Sequence, residues 1–278
     1  MRAETLIGWV RRLTPAFLVP AVIRLWAALG WRRTAVRDDA RRQMGFLVGD
    51  AHPELDALAR DYAFEMARRG ELRWHPRLAN DVRLEGAEHL LAAAAPGRGV
   101  VLSFMHHGLY DRSFTAVGRL GLPLSMVVHP YMLGDDAPGW IRQHVRVNTQ
   151  GGGAAVSAEI GTAGMADLLA RGGVVALASD VPGRTPVTFA GRRVLGSFGA
   201  ARIAADNGAP VVVMTSARDE HGEVLRLHPA LDPSDFASPH DLLTALLAQH
   251  EAAILAWPEA TDLPCSRWEP AVETAPVP

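Results

Sequence analysis

The chain has 278 residues, 49% of them apolar, and its 28 basic residues, all arginine, against 30 carboxylates leave a formal charge of −2. That length and apolar share suit one large domain, alone or with a helical extension, and near-neutral charge gives no electrostatic footprint for nucleic acid. The single Cys265 excludes an intramolecular disulfide, and the eleven histidines form no H-x-x-x-H or H-E-x-x-H spacing that would point to a resident metal.

Residues 1–42 hold nine arginines against three carboxylates. Within them, residues 13–31 are strongly apolar, but Pro15, Pro20 and Arg24 interrupt the run, whereas a spanning helix wants about twenty predominantly apolar residues. Trp31-Arg32-Arg33 follows where a signal peptide would carry small residues at its cleavage site. Trp9, Trp26 and Trp31 lie among the arginines. That mixture suits a helix in the plane of a membrane interface, apolar face toward the acyl chains and cations toward anionic headgroups. A helix packed on the protein's own core or on a partner subunit is the other reading. Residues 1–50 are thus expected to be helical and membrane-associating.

Residues 53–69 follow with partial helical periodicity through Leu55, Leu58, Tyr62, Phe64 and Met66. A short strand is predicted over 82–86, a helix over 87–94, a buried strand over 99–102, and a helix over 109–120. Next come a strand over 123–128, a short helix over 137–144, and the glycine triplet 151–153, which matches no dinucleotide or P-loop fingerprint and reads as a loop. A helix is expected over 163–170 and a strand over 173–178, ending at Ser179-Asp180. The helix over 198–207 stops at Gly208-Ala209-Pro210. A buried strand over 211–215, an edge strand over 224–228 and a helix over 242–257 complete the set. Alternating strands and helices predict an α/β fold. Its central sheet, mostly parallel or mixed, would be flanked by helices over residues 51–268, with the N-terminal helical extension before it. Residues 269–278 are proline-rich and are expected to be a disordered tail.

The chemistry-bearing stretch is Ser103-Phe104-Met105-His106-His107-Gly108-Leu109-Tyr110-Asp111, which directly follows the apolar run Gly99-Val100-Val101-Leu102. A turn at the end of a strand is where an α/β protein exposes side chains to a substrate. A histidine held there by a carboxylate is equipped to take a proton from a hydroxyl. Asp111 would fix the tautomer of His106 and stabilise its cation. Two other readings use the same residues: a helix cap beside a satisfied histidine, and a metal held by His106, His107 and Asp111. The second is awkward, because adjacent histidines point in different directions and no further ligand cluster is in sight.

Four segments together resemble the lysophospholipid acyltransferase superfamily, and within it the bacterial lipid A late acyltransferases and phosphatidylinositol mannoside acyltransferases. The first runs from Val82-Arg83-Leu84-Glu85-Gly86-Ala87-Glu88 through Gly97 to Leu102 into His106 and Asp111, similar to a block with H-x-x-x-x-D/E. The second is Gly172-Gly173-Val174-Val175-Ala176-Leu177-Ala178-Ser179-Asp180. The third comprises Phe189-Ala190-Gly191, Gly199-Ala200-Ala201-Arg202-Ile203-Ala204 and Gly208-Ala209-Pro210-Val211-Val212. The fourth is Trp257-Pro258-Glu259 with Arg267-Trp268 after it. The likeness covers most of residues 82–268. The chain departs from the pattern at Asp111, where lipid A enzymes usually carry Glu. It departs again at Val181-Pro182-Gly183-Arg184, and at Ala260-Thr261-Asp262-Leu263 in place of the usual aromatics.

The resemblance implies acyl transfer from a thioester, acyl-CoA or acyl-carrier protein, to a hydroxyl of a glycolipid or lysophospholipid, with His106 and Asp111 as the base pair and no cofactor or metal. It implies a protein on the inner face of the cell membrane. Arg142, Arg146, Asp180, Arg184 and Arg202 are the expected substrate-binding residues, since guanidinium groups grip phosphate bidentately. Backbone amides near Gly108, or arginines from later strands, would serve the oxyanion. Phe104, Met105, Phe114, Met126 and Met132 are the expected acyl-chain pocket, ordinary core being the other reading. The altered acceptor region also admits a soluble tailoring acyltransferase that takes a carrier-bound chain and a small acceptor.

Overall fold

The apolar runs of the sequence become strands buried on both faces. The computed structural model describes Gly8, Arg11 and residues 13–79, 82–95 and 97–270. Arg2, Trp9, Arg12 and the 271–278 part of the expected tail lie outside the described residues. The strands are β1 (Arg83–Glu85), β2 (Val100–Phe104), β3 (Leu124–Val128), β4 (Ala154–Ser157), β5 (Val174–Ala178), β6 (Thr185–Phe189), β7 (Arg192–Gly196), β8 (Val211–Asp219), β9 (Gly222–Leu227) and β10 (Glu269–Pro270). Seven of them form the main sheet in the order β1-β9-β8-β2-β5-β3-β4, and β10-β7-β6 form a second, small sheet. From β8 to β4 all neighbours are parallel, whereas β9 turns back antiparallel on β8 and β1 runs parallel to β9. The predicted mixed, mostly parallel sheet is therefore the observed one.

Period-two alternation assigns each strand's side chains to one of two cores. From β2 and β8, Val101, Val211 and Val213 enter one cluster, while Val100, Leu102, Phe104, Val212 and Met214 enter the other. Burial on both faces is why these strands read as unbroken apolar runs.

The helices are α1 (Val19–Trp31), α2 (Thr34–Val48), α3 (Leu55–Leu72), α4 (Ala87–Ala94), α5 (Ser113–Gly118), α6 (Gly139–Thr149), α7 (Gly161–Ala170), α8 (Gly199–Asn207) and α9 (Pro239–Ala256). Helices α2, α3, α8 and α9 cover the first cluster through Met44, Leu47, Tyr62, Ile203, Leu242 and Leu246. Helices α4 and α5 cover the second through Leu90, Phe114 and Val117. The chain leaves β2 on the α5 face to reach β3, and leaves β5 to reach β8 by way of α8 on the opposite face. The carboxyl ends of β2 and β5 are neighbours whose connections diverge, which is where an open α/β sheet leaves a crevice for a ligand.

Several elements differ from expectation. The helix predicted over 109–120 begins at Ser113, because residues 109–112 are spent on the turns that follow the β2 exit. The strand over 224–228 is internal, flanked by β1 and β8. Ser238 caps α9 by accepting from the Asp241 amide, so that helix starts at Pro239, ahead of the apolar run. The β6–β7 hairpin was not predicted. Its inner residues Val187 and Phe189 alternate with Pro186 and Thr188, and the turn at Ala190 and Gly191 has both φ positive, at 50° and 68°, the signature of a type I′ turn. Phe189 stacks on Trp268 at 4.5 Å. Residues 269 and 270 then pair with β7.

Candidate active site

His106 sits just past β2, and Asp180 just past the neighbouring β5. The imidazole Nδ1–H donates to Asp180 Oδ1 at 2.8 Å, and the His106 backbone N–H donates to Asp180 Oδ2 at 2.9 Å. The carboxylate therefore fixes both the ring and the backbone of one residue. Asp180 is 2% exposed and His106 20% exposed, so the acid is interior and the base reaches the surface. Burial alone would raise the Asp180 carboxyl, but His106 and Arg267 hold it well below the usual carboxylate range. His106 Nε2 has no protein partner among the described residues.

The turn around His106 is held by the closing motif. Gly108 N–H donates to Ala260 O, Asp262 N–H to His106 O, and His107 Nε2–H to Trp257 O, at 2.9, 2.8 and 2.9 Å. Gly108 has φ +57°, and a Cβ there would lie 2.4 Å from Ser216 Cβ. Both the left-handed backbone and the close approach require glycine. His107 is buried and faces a carbonyl. Burial pushes its pKa down to about 4, so it is neutral and structural.

Asp111 is not brought to His106. Its Oδ1 accepts from His144 Nδ1 at 2.8 Å and from Arg73 at 2.9 Å, and Arg69 Nε lies 3.4 Å from Oδ2. Five positions along a strand-exit turn reverse the chain's direction, and α3 presents the two arginines to Asp111 first. Burial would raise this carboxyl too, but Arg73, His144 and Arg69 hold it far below the ordinary value. The expected His106–Asp111 pair is thus replaced by two pairs, His106–Asp180 and His144–Asp111. The Tyr110 ring touches both imidazoles, with centroids 4.9 and 5.8 Å away, and Arg69 lies over it at 4.7 Å.

A charge network joins the pairs. Arg267 lies 3.5 Å from Asp180 and donates to Asp262, and Asp262 accepts from Arg69 at 3.2 Å. Three carboxylates (Asp180, Asp262, Asp111) meet three guanidinium groups (Arg267, Arg69, Arg73), all mostly buried. Sequence reasoning missed Arg69, Arg73, Tyr110, His144 and Asp262 in this role. A faint signal existed in α3 and its C-cap Arg73, where Tyr62, Glu65, Arg69 and Arg73 recur at helical spacing on one face.

The remaining expected residues scatter. Arg142, on α6, donates to the Ala137 carbonyl just before that helix, Arg184 is exposed before β6, and Arg202 lies 3.5 Å from Asp206 on α8. Arg146 lines a surface groove, and Asp180 is buried and bonded to His106. Phe104, Phe114 and Met126 pack in one core with Met132 against them, whereas Met105 belongs to the other core. The amides near Gly108 are engaged: His106 N to Asp180, His107 N to Met105 O, Gly108 N to Ala260 O and Leu109 N to Ser216 Oγ. None is free for an oxyanion in this conformation. No group of three or more His, Cys, Asp or Glu side chains suited to a metal ion occurs among the described residues.

No protein-family model and no curated protein matches the sequence. Among solved structures, the chain is similar to the 1-acyl-sn-glycerophosphate acyltransferase PlsC from Thermotoga maritima. The two share 14% identity at a TM-score of 0.43, over 90% of this chain and 96% of that one.

Proposed function

We propose that this chain transfers an acyl group from a thioester to an acceptor hydroxyl, with His106 as general base and Asp180 as the acid that orients it. One observation carries the reading. The imidazole has Nδ1 tied to a buried carboxylate and Nε2 outward, and no serine or cysteine of the described residues is hydrogen-bonded to it. A hydrolase of the triad type keeps its nucleophile at that nitrogen. Here the group to be deprotonated comes from a substrate.

In the step, Nε2 takes the proton as the acceptor oxygen attacks the thioester carbonyl. Asp180 stabilises the imidazolium that results. The tetrahedral intermediate collapses with cleavage of the C–S bond, and Nε2 returns the proton to the departing thiolate. Positioned proton transfer of this kind contributes about 10²–10⁴-fold.

The acceptor we favour is a hydroxyl of a glycolipid or lysophospholipid, met at a membrane surface, with acyl-CoA or acyl-carrier protein as donor. The support lies in α1 and the turn before it, where Leu13, Phe17, Leu18, Leu25, Trp26 and Leu29 are exposed beside Arg24, Arg32 and Arg33. No helix among the described residues is long and apolar enough to cross a membrane. An apolar face with flanking cations suits peripheral binding to anionic lipid. The core of Phe104, Phe114, Met126 and Met132 borders the β2 exit and is the wall we assign to the acyl chain.

The purified protein, given acyl-CoA and acyl-carrier donors with lysophospholipid and glycolipid extracts, is expected to yield an acylated lipid by mass spectrometry, and His106→Ala is expected to yield none. Full transfer by His106→Ala, or no transfer by the wild type with any donor, would overturn the assignment.

A further inference from the structure

A groove of about 580 Å³ lies between the turn at Thr14 and Ala16, the segment from Trp74 to Leu78, and α6. From α6 it takes Gln143, Arg146 and Gln150, a spacing of three and four residues that places them on one face of the helix. Arg77 lines the same groove from the 74–78 segment, and Gln143 ties that segment to α6 by donating to the Arg73 carbonyl at 3.1 Å. His75 adds a third basic group. It is anchored to Glu71 at 3.2 Å, and Glu71 in turn pairs with Arg11.

Two features set this groove apart. Most arginines around the site are paired: Arg68 and Arg112 with Glu223, Arg83 with Asp219, and Arg69 and Arg73 with Asp111. Arg77 and Arg146 are exposed, their guanidinium groups have no hydrogen-bond or ion-pair partner among the described residues, and no carboxylate of those residues lines the groove. Two guanidinium groups without a protein counter-charge lining one cleft favour an anion there, and the planar fork suits phosphate oxygens. The rim is apolar: Ala16 and Leu78 line it, and Leu13 and Phe17, neighbours of the lining residues, are 69% and 80% exposed.

We propose that this groove is a binding site for the phosphate of an anionic lipid, with Arg77 and Arg146 on the phosphate, Gln150 on its ester oxygens, and Leu13 and Phe17 against the acyl chain. Phosphate chemistry alone fits a nucleotide-bearing donor as well. The exposed apolar side chains at the rim favour an amphiphile. The proposal rests on the groove and not on acyl transfer, so it can hold in a protein that transfers nothing. The groove nevertheless shares a wall with the site, since Arg73 and His144, next in sequence to Trp74 and Gln143, both hold Asp111.

Calorimetric titration of the full chain with short-chain phosphatidic acid below its micelle concentration tests this, with inorganic phosphate and coenzyme A as separate arms. The wild type is expected to bind the lipid. The double variant Arg77→Gln/Arg146→Gln is expected to bind it about tenfold more weakly or worse, as loss of charged hydrogen bonds requires, with Arg146→Lys in between. Phe17→Ser should weaken the lipid and leave inorganic phosphate unchanged. Coenzyme A affinity should be the same in wild type and double variant. Equal lipid affinity in both proteins, or no lipid binding by the wild type, overturns the site. Loss of coenzyme A but not of lipid from the double variant overturns the lipid assignment. Thermal melting of each variant, with Arg202→Gln as a distant control, verifies that the fold is kept.

Discussion

His106 and His144 each donate Nδ1–H to a buried aspartate, and both rings touch Tyr110. The two pairs answer differently to the same substitution. Asp180→Asn should cut turnover by roughly 10²–10⁴, because the imidazolium formed in the step loses its counter-charge. Asp111→Asn should cut turnover less and lower the melting temperature instead. It breaks the neutrality of a buried cluster, a change worth about 3 kcal/mol or more. If Asp111→Asn cuts turnover by that factor in a protein that still melts like the wild type, and Asp180→Asn does not, the orienting roles are reversed. A second residue-scale consequence concerns pH and stability. Burial pushes His107 down to about 4 and His250 down to about 3. Below the unfolded value near 6.5, the unfolded chain binds protons that these rings refuse, so stability falls as pH drops from 6.5 toward 4. At pH 5.5 each ring should cost on the order of 1 kcal/mol relative to pH 8. Denaturant melts across that range should show the slope, and His250→Gln should reduce it.

The elements meet the site through backbone as much as through side chains. The β6–β7 turn holds Ala190 at φ 50°, a conformation that costs an L-residue other than Asn or Asp roughly 1 kcal/mol. Ala190→Asn converts the turn to the preferred Asn-Gly pair and should raise stability by about 0.5–1 kcal/mol, read as an increased denaturation midpoint. An unchanged or lowered midpoint would mean that the hairpin is not a type I′ turn in solution. Gly108→Ala should do the opposite, destabilising the turn and abolishing activity, since both φ and the 2.4 Å approach to Ser216 exclude a Cβ.

At the scale of the molecule, α1 and α2 are part of the packing. Val19 and Ile23 are buried, and Ala40, Met44 and Leu47 enter the same core as β2 and α9. Deleting the segment would therefore uncover α3 and confuse folding with binding. Leu25→Ser/Trp26→Ser/Leu29→Ser, confined to exposed positions of α1, should lower the fraction co-sedimenting with phosphatidylglycerol vesicles while the melting temperature holds. Undiminished co-sedimentation would remove α1 from the membrane contact.

Length, periodicity and the apolar runs were enough to read an α/β sheet with His106 at the exit of a central strand, because burial on both faces makes β2 and the first residues of β5 and β8 near-continuous apolar runs. The hairpin β6–β7, with its alternating half-buried residues, and the start of α5 were not legible, because short strands and turns carry few residues of signal. The partner of His106 was beyond the sequence altogether. Asp111 is five residues away and Asp180 is seventy-four, yet adjacency of β2 and β5 in the sheet delivers the second. The same holds for Arg69, His144 and Asp262. Their charges read as ordinary surface positions until α3, α6 and the closing motif fold over the His106 turn and remove them from water. Spacing along a chain records which residues share an element; which carboxylate faces which imidazole is set by strand order and by the helices packed above it.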